Sequence, residues 1–100
     1  MKIFDLMKMT TYPYEKRGKN VFFKSKNFKA RMIKLKAGEG IPTCEMQSFV
    51  IFYVIEGTAE VSVNNENQII NQGQCMITEP STLSLKTEEG VLIVGFQINE

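Results

Sequence analysis

Cys44 and Met46 stand one residue apart within GEGIPTCEMQSFVIFYVIEG, residues 38–57, and chemistry would be sought there first. Successive side chains of an extended segment alternate, so both sulfurs project from the same face. Thiolate and thioether are soft donors, suited to Cu(I); catalytic zinc and the hard cations call for imidazole and carboxylate. Cys75 is a third sulfur, and the sequence leaves its direction relative to the pair open. Glu45, between the two, would turn inward only if the strand slipped by one residue. The apolar parity of Val50, Phe52 and Val54 continues that of Cys44 and Met46, which places Glu45 outside. The chain contains no histidine, so it lacks the usual general base and the usual partner of a serine or cysteine nucleophile. A reactive role for Cys44 would need an activating neighbour, and none stands beside it. No glycine-rich phosphate loop occurs between a strand and a helix. The competing reading of the sulfurs is packing: methionine, and to a lesser degree cysteine, fills irregular apolar space.

Strands must position these residues, because no segment carries a sustained helical period. Residues 5–9, DLMKM, suit one helical turn or an edge strand, and TYPYEKRGKN (11–20) is a loop broken by Pro13 and Gly18. NVFFKS and NFKARMIKLKAG are strand candidates, the second running into turn residues at 38–42. FVIFYVI is a dense aromatic and β-branched run, short enough for a buried strand. Glu56 and Gly57 mark a tight corner, after which TAEVSVN alternates cleanly. A hairpin loop at 64–67, the strand QIIN, a turn at 72–74, the strands CMITEP and STLSLKT, a turn at 88–90 and the strand VLIVGFQI complete the chain. Gly95, inside the last strand, marks a bulge or a close backbone approach. Short strands at this spacing, punctuated by glycine and asparagine, indicate an all-β sandwich or barrel.

One hundred residues make one domain with a core of its own. A hydrophobic share of 43% and a charged share of 23% are those of a soluble globular protein. No apolar run approaches the ~20 residues of a membrane span, and residues 1–20 lack the apolar stretch of a secretory signal. Two cysteines are too few for a disulfide framework, so a reducing cytoplasm is the expected compartment. The net charge of +1 conceals a polarity along the chain. Residues 1–36 hold eleven lysines and arginines against Asp5 and Glu15, a local charge of +9. The remainder holds Lys86 against nine glutamates, −8. The basic residues are spread, not clustered at helical spacing. They are expected on solvated strand faces and turns rather than in a patch for nucleic acid or anionic ligands. No nucleic-acid or membrane partner is expected.

The spacing Gly38, Cys44, Met46, Val50, Gly57, with the lead-in GEGIPT and the following YVIEGTAEVSVN, resembles the first motif of the cupin superfamily. Gly73, Pro80 and Leu85 resemble the second, with one residue more than usual between Gly73 and Pro80. The resemblance covers about residues 20–98. It implies an all-β, jelly-roll β-barrel (double-stranded β-helix), with an N-terminal arm over 1–20 and the barrel over 21–98. Where the family commonly places two histidines, a glutamate and a third histidine, this chain has Cys44, Met46, Val50 and Leu85. No metal and no other cofactor is therefore expected, nor the dioxygenase and isomerase chemistry that a metal supports. The barrel mouth is expected to be lined by Cys44, Met46, Val50, Phe52 and Leu85, with Tyr53 and Gln97 as polar tips. Such a mouth suits a small apolar molecule. Three functions follow: a metal-free, non-enzymatic binding, regulatory or assembly module; an enzyme using atypical ligands among Cys44, Glu45 and Met46; or a dimeric structural module with a filled core. A homodimer is expected in which the basic front third lies on a partner's acidic surface.

Overall fold

A computed structural model describes residues 1–99. Eight strands follow two short 3-10 segments, Leu6–Lys8 and Tyr14–Asn20: β1 (Val21–Lys24), β2 (Phe28–Leu35), β3 (Gly40–Glu45), β4 (Phe49–Val63), β5 (Glu66–Asn71), β6 (Cys75–Thr78), β7 (Thr82–Lys86) and β8 (Val91–Ile98). All pairings are antiparallel. β4 is shared by two sheets. Its first half pairs with β8 and β6, continuing the row β1-β2-β8. Its second half pairs with β5 and β7, and β7 carries β3 at the outer edge.

The expected corner at Glu56 and Gly57 is thus a bend within one fifteen-residue strand rather than a break between two. The register shifts between Val54 and Glu56, and Gly57 sits at φ +85°. A Cβ at Gly57 would run into the main chain at Gly90 and Val91, so glycine is required on both counts. Thr87 braces the bend. Its buried hydroxyl donates to the Thr58 carbonyl at 2.7 Å and accepts from the Gly90 amide at 2.9 Å.

Alternation sorts the side chains. Val50, Phe52 and Val54 on β4, Val91 and Ile93 on β8, and Leu83 and Leu85 on β7 turn between the sheets and form the core with Val61 and Ile70. Burying each such side chain contributes about 1.5–3 kcal/mol. Ala30, Met32 and Val94 face the other way, yet are buried too. The start of the N-terminal arm meets β1, with the Phe4 ring 4.9 Å from Phe22 and the Lys2 ammonium 6.0 Å from Phe23.

The loop expected over 11–20 contains 3-10 turns. Pro13 presets the chain direction, and the Lys16 amide donates to its carbonyl at 2.8 Å. The hairpin loop is tighter than 64–67. Asn64 and Asn65 make a two-residue turn at φ 49° and 69°, so Glu66 and Asn67 already belong to β5. Gly95 marks a close approach and no bulge, since β8 keeps register across it. A Cβ there would lie 3.1 Å from the Phe52 ring. Among the described residues no helix is long and apolar enough to cross a membrane.

Candidate functional site

The sheets part on the side of β2 and β3, leaving a cavity of about 240 Å³. Its floor comes from Val50 and Phe52 of β4, Ile33 and Leu35 of β2, and Leu83 of β7. Gly95 helps to make the space. It stands between Arg31 on one neighbouring strand and Phe52 on the other, and a side chain there would press on Phe52 and Ile33.

Cys44 and Met46 reach the cavity from β3 and the residue just beyond it, as their shared parity predicts. The Cys44 Sγ lies 3.6 Å from the Met46 Sδ and 3.7 Å from the Leu83 carbonyl oxygen. Gln97 lines the cavity as well. The sequence candidates Cys44, Met46, Val50, Phe52 and Gln97 are therefore brought together.

Leu85 and Tyr53 are not. Leu85 is paired with Ile41 and Val61 deep in the core and is 3% exposed. The residue opposite Cys44 is Leu83. Both leucines face inward, and spacing counted from Gly73 and Pro80 does not say which of them reaches the cavity. Tyr53 has the opposite parity to Phe52 and points out of the barrel, 42% exposed. Cys75 is exposed on β6 opposite Tyr53, so it does not join Cys44. Glu45 is exposed and accepts a hydrogen bond from the Gln47 side-chain Nε2 at 3.3 Å.

The donor set therefore does not fit the metal that the fold commonly carries. The inward positions supply one thiol, one thioether and aliphatic carbons. Among the described residues no three histidine, cysteine, aspartate or glutamate side chains converge.

The mouth holds residues that sequence reasoning assigned to the arm or to solvated faces. Tyr12, Tyr14, Arg17 and Asn20 line it from the N-terminal segment, and Arg31 from β2. Asn20, nearly buried, fastens the loop. Its side chain accepts from the Tyr12 amide at 2.8 Å and donates to the Tyr12 carbonyl at 2.9 Å. Arg17 stacks on Tyr14, its guanidinium carbon 4.2 Å from the ring centre, and donates to the Tyr14 carbonyl at 3.2 Å. Burial, then the neighbouring Arg17 charge, holds the Arg31 guanidinium below the usual arginine pKa, with Tyr14 acting in the opposite direction. The signal for Arg31 was its parity with Ile33 and Leu35, though the alternate face of β2 also mixes apolar and basic residues.

A second hollow, about 460 Å³, lies between the edge strands β5 and β6. Val61 and Ile70 lie at its base, and Asn64, Glu66, Gln68, Cys75 and Ile77 on its walls are all solvent-exposed.

No protein-family model and no curated protein matches the sequence. Solved structures do match the fold. A cupin superfamily protein from Desulfitobacterium hafniense aligns with a TM-score of 0.74 at 7% identity, over 80% of this chain and 74% of that one. A protein of unknown function from Streptococcus pyogenes aligns with a TM-score of 0.78 at 12% identity, over 99% and 88%. Salicylate 1,2-dioxygenase from Pseudoaminobacter salicylatoxidans, solved with gentisate, aligns with a TM-score of 0.68 at 22% identity. That match takes in 72% of this chain but spans only 20% of the dioxygenase. Likeness at such identities concerns the backbone, and together with the strand pairing it leads to one conclusion: this chain has the all-β, cupin-type fold.

Proposed function

We propose that the chain is a metal-free, non-enzymatic cupin-like protein that binds a small, largely apolar molecule between its sheets. One observation carries this reading. Three of the positions that would hold metal ligands, Cys44, Met46 and Val50, present sulfur and aliphatic carbon instead, around a cavity that the core side chains leave open. An apolar cavity of ~150 Å³ takes a benzene-sized molecule. About 240 Å³ therefore suits one ring or a short chain. The alternative of an enzyme with ligands Cys44, Glu45 and Met46 is weakened by the outward direction of Glu45. Thermal shift against a panel of small organic molecules tests the proposal, because a ligand of the native state raises the melting temperature by mass action. A dose-dependent rise supports it. A flat response across the panel favours a structural module without ligand.

Self-association is a second proposal, attached to a different surface. Ile77 is 67% exposed on β6, an edge strand, and Tyr53 projects beside it on β4. Neither salt bridge among the described residues, Lys8–Asp5 or Lys86–Glu60, joins the basic front third to the acidic remainder. An apolar edge and uncombined opposite charges suit a second copy of the chain.

A further inference from the structure

The cavity is not apolar throughout, and its polar end is of one sign. Arg31 belongs to the inward face of β2, with Gly95 as its cross-strand partner. Its Nε is buried and has no hydrogen-bond partner. An arginine offers five donors and keeps its charge at any physiological pH, so a buried, unanswered Nε is a cost to the folded protein. Arg17 lies at the same mouth and adds like-charge repulsion. Neither guanidinium takes part in a salt bridge among the described residues. Arg17 is held in place by Tyr14, and the loop carrying it is fastened through Asn20. Two guanidinium groups of like charge at the rim of an apolar pocket, neither answered by a carboxylate among the described residues, suit a bound anion. Departures of this kind from good packing concentrate at functional sites.

We propose that the ligand is an organic monoanion, a carboxylate on an apolar body of about one ring, with its carboxylate at Arg31 and Arg17 and its body against Phe52 and Val50. This rests on the ligand-binding reading above and names the ligand's class. A planar guanidinium matches a carboxylate with two parallel hydrogen bonds. An inorganic anion satisfies the arginines but leaves the floor empty, and a neutral molecule does the reverse.

The experiment titrates the untagged full chain, by calorimetry and thermal shift, with matched acid and amide pairs: benzoate and benzamide, cyclohexanecarboxylate and its amide, hexanoate and its amide. Inorganic phosphate is a further arm. At least one acid should bind about tenfold or more tightly than its amide, and phosphate should bind more weakly than that acid. Arg31→Met should erase the preference for the acid while retaining amide binding. It should also raise the melting temperature without ligand, because a half-buried guanidinium with an unpaired Nε is gone. Arg17→Met should lose less of the preference. Acid and amide binding equally well, or Arg31→Met keeping the wild-type preference, would overturn the anion inference and leave the ligand-binding reading standing. Phosphate as tight as the best acid would also overturn it. If no member of any pair binds, both fall. A lower melting temperature for Arg31→Met would show Arg31 to be structural and count against the inference.

Discussion

Gly95 shows how a single residue shapes the site. Its place on the inward face of β8 keeps a gap between Arg31 and Phe52, and a methyl group there would lie 3.1 and 3.2 Å from two ring carbons of Phe52 and 3.4 Å from the Ile33 Cδ1. Gly95→Ala is expected to destabilise the protein by about 1–3 kcal/mol through overpacking. The same change should weaken any ligand seated against Phe52. Urea unfolding checks the first effect, and an unchanged midpoint would mean that Phe52 yields freely. The sequence carried part of this site. Period two placed Cys44, Met46, Val50 and Phe52 on one inward face. It could not place Tyr53, because FVIFYVI is apolar on both faces. It could not choose Leu83 over Leu85, because both leucines share a face. Arg31 stayed hidden because lysine and arginine occur on both faces of FKARMIKL.

Among the elements, the segment from Tyr12 to Asn20 departs furthest from expectation. Composition marked it as a loop, and it is instead a wall of the cavity, closed on itself by the paired bonds between Asn20 and the Tyr12 backbone. That closure depends on contacts eight residues apart, which no local pattern records. Asn20→Ala removes both bonds and should cost about 1–3 kcal/mol, as for a buried polar group left unpaired. Amide hydrogen exchange should rise over residues 12–20 before it rises in β4 or β8. Exchange rising equally in all three would assign Asn20 to the global core instead. The strands were more legible, since alternation and glycine or asparagine punctuation are local signals. The bend in β4 was read as a corner because Gly57 looks alike in either case. Only the pairing of β4 with four other strands shows that the chain continues.

For the whole molecule, the +9 front third and the −8 remainder were plain in the sequence, but the residues that answer those charges were not. Self-association through β6 predicts a dimeric mass by light scattering at micromolar concentration, and Ile77→Lys should convert it to a monomer. The substitution lies at an exposed position, so the folded chain should keep its stability within ~0.5 kcal/mol. A monomeric wild type would refute the proposal. A dimer that persists at ~0.5 M salt would assign the contact to the apolar edge rather than to charge. The fold itself was the most legible level, because the motif spacing marks turns and strands whatever residues stand at the ligand positions. Whether the cavity holds a metal or only sulfur and aliphatic carbon is decided by the metal content of the untagged protein. Elemental analysis for zinc, iron, manganese, nickel and copper should find each well below one equivalent per chain, unchanged in Cys44→Ala. A full equivalent of any of them, lost in Cys44→Ala, would contradict a metal-free cavity.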